Sequence, residues 1–146
     1  MATGHMYSKL PLNAFNGNIS PLGDVGTDIK CMLCTSDYVP NQDDHEDITD
    51  ITNEVSGTNY VAGGASLENK EWETVGRVST FKASAVEWTD STVTARYAVV
   101  YDNTPAADAD KKLLFYIDFE TDKSTSDGLF RIAWATAGIF SFTVPV

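Results

Sequence analysis

Hydrophobic and polar residues alternate most regularly between Ser91 and Phe119. Every second residue in the first part of this segment is apolar, a period typical of a β-strand with one buried face. These residues are Val93, Ala95, Tyr97, Val99 and Tyr101. A later run repeats the period with Leu113, Phe115, Ile117 and Phe119. Turn-forming residues occupy positions 102–110 between the runs, so we predict that they pair as an antiparallel hairpin.

Shorter runs of the same kind predict further strands. They lie at residues 29–34, 77–83, 85–88, 130–134 and 139–144, and turn-forming residues separate them. Many short strands with turns at spacings of roughly 8 to 15 residues favour an antiparallel sheet fold over a parallel α/β fold. We therefore predict an all-β domain, an antiparallel β-sandwich or jelly roll with five to eight strands. The predicted core residues are Tyr97, Val99, Phe115, Ile117, Ile132 and Trp134.

The acidic segment at residues 44–54 is the one place where the pattern predicts a helix. Ile48, Ile51 and Val55 recur at helical spacing. Asp43 and Glu46 fit a capping box at the start of that helix. A calcium site is the alternative interpretation, but the spacing of an EF-hand loop is absent. The acidic residues concerned are Asp43, Asp44, Glu46, Asp47, Asp50 and Glu54.

The first 27 residues have little periodicity and many turn formers. We predict that residues 1–27 are an extended N-terminal arm and that residues 28–146 form a single β-sandwich domain. Large apolar residues in such an arm must lie on its own domain or on a neighbouring subunit. These residues are Tyr7, Leu10, Leu12 and Phe15.

Length and charge limit the possible partners. A chain of 146 residues is long enough to bury a core as one domain. Its 21 acidic against 10 basic residues give a net charge of −11, which opposes binding to nucleic acid or to anionic membranes. The chain has neither an apolar run of transmembrane length nor the pattern of a signal peptide, so we expect synthesis in a cytoplasm without export.

Two cysteines form a C-x-x-C pair, which is compatible with redox chemistry or with half of a zinc site. Cys31 and Cys34 lie in a predicted strand, where an odd separation places their side chains on opposite faces. A zinc site needs four ligands, and only His5 and His45 remain as candidates, without motif spacing. We therefore predict two free thiols, with no metal and no other cofactor.

Motifs of enzymes are absent from the sequence. Neither a G-x-S-x-G nucleophile nor a phosphate-binding glycine loop occurs, so we predict that the protein is not an enzyme. Glycosidase chemistry needs only two carboxylates and is the alternative that is hardest to exclude. Its candidates are Glu71, Glu73, Glu87, Asp118 and Glu120. Trp72, Trp88 and Trp134 are core candidates, with a sugar-binding platform as the alternative.

Four stretches of the sequence resemble a family of small structural proteins from tailed bacteriophages. The first two are Leu33-Cys34-Thr35-Ser36-x-Tyr38-x-Pro40-x-Gln42-Asp43-x-His45-Glu46 and Thr52-Asn53-Glu54-Val55-x-Gly57-Thr58-x-Tyr60-x-Ala62-Gly63-Gly64. The third runs from Val86 to Tyr101, and the fourth is Trp134-x-x-x-Gly138-Ile139. The start Tyr7-Ser8-Lys9-Leu10-Pro11-Leu12 also fits, so the resemblance covers nearly the whole chain.

This resemblance implies a virion component, a capsid decoration or cement protein on the outer surface of the phage head. Its partner would be the major capsid protein. A homotrimer on a local three-fold axis would bridge adjacent capsomers, with Tyr7, Leu10, Leu12 and Phe15 as partner-binding residues. The alternative is a tail- or fibre-associated module that binds glycans of the host surface.

Overall fold

A computed structural model describes residues 3–146, which form three antiparallel sheets and one short α-helix. The strands are β1 (Thr3–Met6), β2 (Ile29–Cys34), β3 (Ala65–Ser66), β4 (Glu71–Val75), β5 (Val78–Lys82), β6 (Val86–Ser91), β7 (Thr94–Asp102), β8 (Leu113–Ser124), β9 (Gly128–Ile132) and β10 (Phe140–Thr143). The helix is α1 (Leu10–Phe15), and single 3₁₀ turns lie at Ile48–Asp50 and Asp108–Asp110. Within residues 3–146, no helix is long and apolar enough to cross a bilayer.

The largest sheet has the strand order β1-β8-β7-β2-β3. Its centre is the predicted hairpin, in which β7 pairs antiparallel with β8. Two smaller sheets have the orders β10-β5-β4 and β6-β9. The prediction of an antiparallel, sandwich-like all-β fold is confirmed, although the described chain contains ten strands instead of five to eight.

The main core lies where one face of the large sheet meets the two small sheets. All three sheets contribute aromatic and aliphatic side chains to it, among them Leu33 and Ile117 from the large sheet, Phe81 from β5 and Trp88 from β6. Phe140 of β10 packs on Phe81, with ring centroids 5.5 Å apart. Burial of these apolar side chains on both layers is what holds the sheets together.

A second, smaller core covers the opposite face of the large sheet. Its centre is a group of tyrosines with Met32, Cys34, Val99 and Leu113. The loop between β2 and β3 lies over it through Ile48 and Ile51. The central strands are therefore buried on both faces, which the prediction of one apolar and one polar face did not include.

Two irregularities in the β7–β8 pairing explain why residues of one alternating set lie in different cores. The register shifts between Ala95 and Tyr97 and again between Val100 and Tyr101, where β8 contains Leu114 as an extra residue. A shift of one residue exchanges the two faces of a strand. Ala95 consequently lies in the main core and Val99 in the second.

Four of the six predicted core residues are buried: Val99, Phe115, Ile117 and Ile132. Tyr97 and Trp134 are partly exposed and pack at the margins of the two cores. Trp134 uses its indole N–H for a 3.0 Å hydrogen bond to the carbonyl of Ser84. These two side chains are thus peripheral packing residues.

The prediction of a helix at residues 44–54 is wrong. Only a 3₁₀ turn, Ile48–Asp50, forms there, and Asp47 caps it instead of Asp43. The Asp47 side chain accepts from the N–H of Thr49, and the Asp50 side chain accepts from the N–H of Asp47. A capping box is present, but it starts a single 3₁₀ turn and not an α-helix. Ile48 and Ile51 pack against the second core from this turn.

The predicted arm is extended only in part. Residues 3–6 form β1 at the edge of the large sheet, with Thr3 opposite Asp118 and Met6 opposite Phe115. Residues 10–15 form α1. Because Gly4 lies against the ring of Phe115, a side chain at this position would collide with it. This part of the segment is integrated into the fold.

The two cysteines lie on opposite faces of β2, as their spacing predicts. Cys31 belongs to the main core and Cys34 to the second, and both are free thiols. Burial raises the pKa of the Cys34 thiol to about 12 and that of Cys31 further, so both are protonated at neutral pH. Side chains that point away from each other across a sheet cannot form a bond.

The paired glycines after Tyr60 make a tight bend against β2. Gly64 has a φ of 85°, and a Cβ there would overlap the carbonyl oxygen of Cys31. We expect Gly64→Ala to lower the free energy of unfolding by about 2 kcal/mol or more, because it adds left-handed strain to a backbone collision. Urea denaturation measures this loss.

Gly26→Ala is the matched control for this substitution. Gly26 lies in open space without a positive φ, so its substitution should change the free energy of unfolding by less than about 0.5 kcal/mol. Equal stability of the two variants would contradict the assigned role of the bend.

Candidate functional site

The N-terminal segment is fixed to the domain by two buried side chains. Tyr7 follows β1 directly, and its N–H donates to the carbonyl of Leu114 at 3.1 Å. Its ring is buried in the second core, whereas Leu10 at the start of α1 is buried in the main core. Two of the four predicted partner-binding residues are therefore anchors within their own domain.

A chain of hydrogen bonds begins at Tyr7. The hydroxyl groups of Tyr7 and Tyr38 are 2.9 Å apart, and the Tyr38 hydroxyl lies 2.9 Å from Nδ1 of His45. Burial raises the pKa of Tyr7 well above its ordinary value, and burial raises that of Tyr38 as well. Both phenols are neutral at physiological pH and connect the N-terminal segment to the loop that follows β2.

The same loop holds the backbone just before α1. The Gln42 side chain donates to the carbonyl of Met6 at 2.8 Å, and the N–H of Ser8 donates to the carbonyl of Gln42 at 2.9 Å. Lys9 donates to the carbonyl of Asp44 at 3.0 Å. These hydrogen bonds hold residues 6–9 against the loop and thereby fix the position and direction of α1.

The outer face of α1 consists of Leu12 and Phe15, and we call this pair the helix face. The two residues are three positions apart and therefore lie on the same side of the helix. Leu12 is 60% exposed and Phe15 is 92% exposed. The other side of α1 contributes Leu10 and Asn13, which are buried. The structure thus separates the predicted partner-binding residues into two anchors and two exposed residues.

A buried carboxylate fixes the chain after α1. Asp102, at the end of β7, is fully buried and accepts hydrogen bonds from the N–H groups of Ser20 at 2.8 Å and Thr104 at 3.0 Å. Charged groups are buried in proteins when they are well hydrogen-bonded. Asp102 therefore holds the segment after the helix, as Tyr7 holds the segment before it.

The acidic segment uses its carboxylates as internal acceptors. Asp50 accepts from the N–H groups of Glu46 at 2.8 Å and of Asp47 at 3.3 Å. Burial raises the pKa of Asp50, but these backbone donors outweigh burial and place the pKa below its ordinary value. Across residues 3–146, no group of three or more His, Cys, Asp or Glu side chains is arranged to hold a metal ion.

The glycosidase candidates lie on strands of three different sheets: Glu71 and Glu73 on β4, Glu87 on β6, and Asp118 and Glu120 on β8. Glu73 forms an ion pair with Lys82, Glu87 with Arg131 and Asp118 with Arg96. The Arg96 side chain lowers the pKa of Asp118. The structure does not assemble these five carboxylates into one site.

The tryptophans differ in exposure. Trp88 is buried in the main core, where its ring centroid lies 6.0 Å from that of Phe130. Trp134 is partly exposed at the core margin. Trp72, on the outer strand of the small sheet β10-β5-β4, is 41% exposed. Only Trp72 is available as a platform of appreciable size.

A comparison with protein-family models finds no match to this chain. Searches of curated proteins and of solved structures find no match either. The function must therefore be argued from the residues and their geometry.

The sequence contains signals for α1, although the spacing of its apolar residues predicts a helix at residues 44–54 instead. Pro11 lies in the first turn of α1, where proline is favoured, and Gly17 follows the helix with a φ of 76°. The anchoring roles of Gln42 and Asp102 had no such signal, because both depend on contacts between residues that are distant in sequence.

Proposed function

We propose that the protein is a structural component of a tailed-phage virion, a capsid decoration or cement protein that binds the outer surface of the head. The helix face is the observation that carries this proposal. A phenylalanine that is 92% exposed gains about 1.5–3 kcal/mol when a partner buries it fully. The sequence resemblance supplies the class of the partner, the major capsid protein.

The way in which the helix face is presented supports a docking role. Tyr7 precedes α1 in sequence, Leu10 lies on its inner side, and both residues are buried. The loop at residues 41–46 holds the backbone before the helix through hydrogen bonds. A rigid contact surface loses little conformational entropy on binding. Leu12 and Phe15 are therefore exposed on a support that is already ordered.

Charge indicates the kind of surface that the helix face fits. The net charge of −11 favours a partner surface with positive charge around an apolar pocket. We propose that three copies assemble around a local three-fold axis of the head, where each weak contact is strengthened by the others.

The test is binding of purified protein to heads that lack it. We expect the double variant Leu12→Ala/Phe15→Ala to lose about tenfold or more in affinity, because truncation of central apolar contacts has effects of this size. Val25→Ala is the control, since Val25 is an apolar residue that is 99% exposed and lies outside α1. Sedimentation of heads with labelled protein measures occupancy, and native mass of the free and the released protein measures the trimer.

Point substitutions are preferable to removal of residues 1–15, because β1, Tyr7 and Leu10 belong to the fold. The head-binding proposal fails if the double variant decorates heads as well as the unmodified chain does. Antibodies against the protein that label tails and leave heads unlabelled would instead favour the tail-associated alternative.

A further inference from the structure

A second surface of the protein has the composition of a ligand site and shares no residue with the helix face. It is an open groove of about 540 Å³ between the loop at residues 21–24 and strand β4. Leu22, Gly23 and Asp24 line one side, and Lys70, Glu71 and Trp72 line the other. We call it the Trp72 groove.

Trp72 is held in place as one wall of this groove. Its ring centroid lies 6.1 Å from that of Phe140 and 6.2 Å from that of Phe142, both on β10. These contacts bury part of the indole and fix it, whereas 41% of the residue stays exposed. A large aromatic ring that neighbouring rings hold in place and that stays partly exposed can act as a stacking platform.

The loop at residues 21–24, which forms the opposite wall of the groove, lies close to β4. A Cβ at Gly23 would lie 3.0 Å from the backbone nitrogen and 3.3 Å from the Cβ of Trp72. Glycine therefore allows the loop to approach β4 directly and forms a narrow junction beside the indole. The groove is thus formed by packing of the backbone and does not depend on the position of one flexible side chain.

Polar groups border the platform. Asp24 and Lys70 line the same groove, whereas Glu71 and Glu73 flank Trp72 on β4 and therefore project from the other face of the strand. One oxygen of Asp24 accepts a 3.3 Å hydrogen bond from the N–H of Gly26, which orients the carboxylate. A platform bordered by both acceptors and donors suits a ligand that combines an apolar face with many hydroxyl groups.

We propose that the Trp72 groove binds a neutral glycan. The C–H face of a pyranose ring would stack on Trp72, and its hydroxyl groups would donate to Asp24 and accept from Lys70. The whole protein carries a charge of −11, so acidic polysaccharides are repelled. This binding is independent of the capsid contact and would bring the particle to glycan-coated surfaces.

Affinity electrophoresis in native gels tests the proposal, with a soluble β-glucan, a galactomannan or glycol chitin in the gel and hyaluronan as the acidic comparison. We expect at least one neutral polymer to retard the protein and hyaluronan to leave its mobility unchanged. Trp72→Ala should weaken the retardation by about tenfold or more. Phe15→Ala should bind glycan like the unmodified chain, because Phe15 lies outside the groove.

The packing of Trp72 on Phe140 and Phe142 requires a second variant. Asp24→Asn changes only an exposed side chain, so it should keep the melting temperature and still weaken the retardation. Absence of retardation by all three neutral polymers would overturn the proposal, as would unchanged retardation of the Asp24→Asn variant. Loss of head binding by the helix-face variant leaves this result unaffected, so the two proposals fail separately.

Discussion

Replacing Phe81 with alanine is expected to lower the free energy of unfolding by about 3–5 kcal/mol, the range for removal of a large buried aromatic side chain. Phe81 is fully buried and connects two layers, because it lies on β5 of the small sheet and belongs to the main core. Its ring packs on Phe140 of β10. The substitution therefore leaves a cavity at the junction between the sheets, which neighbouring strands cannot fill without losing their register.

Denaturation in urea, followed by tryptophan fluorescence, measures this loss. Phe15→Ala is the matched control, because it removes the same side chain from a position that is 92% exposed. Its free energy of unfolding should change by less than about 0.5 kcal/mol. A loss below about 1 kcal/mol for Phe81→Ala would mean that the two sheets do not share the core described above.

Alternation of apolar residues predicted the strands well. Residues 29–34 form β2 with the predicted bounds, and the hairpin of β7 and β8 is the centre of the large sheet. Period-two patterns are informative because burial of one face is a local property of a strand. The sandwich-like fold class followed from these elements.

The same pattern could not predict that both faces of the central strands are buried. The residues that cover the second face, among them Tyr7 and Ile48, are distant in sequence from β7 and β8. The register shifts near Tyr97 and Leu114 exchange the faces locally, and they depend on how β7 and β8 pair. The helix prediction failed because helix formation also depends on tertiary contacts. A six-residue helix has little intrinsic stability, so α1 depends on the burial of Leu10 by the rest of the chain.

The sequence indicated which residues of the N-terminal segment need an apolar contact, but it did not indicate the role of each one. The sequence indicated that Tyr7, Leu10, Leu12 and Phe15 need an apolar contact. It could not separate the residues that the domain itself buries from those that remain exposed, because this depends on the tertiary position of β1 and α1. The two roles can be separated by experiment.

Tyr7→Ala tests the anchoring role. We expect a loss of about 3–5 kcal/mol in the free energy of unfolding, because the ring is buried in the second core and lies 5.1 Å from that of Tyr116 between centroids. Tyr7→Phe keeps the ring and removes only the hydroxyl group, so it should cost about 0.5–1.5 kcal/mol, the net contribution of one hydrogen bond. In hydrogen exchange, Tyr7→Ala should also expose the amides of β1 and α1 more than those of β9, whereas Tyr7→Phe should leave this order unchanged. Equal losses for the two variants would show that the hydroxyl chain to His45, and not ring burial, holds the helix face in position.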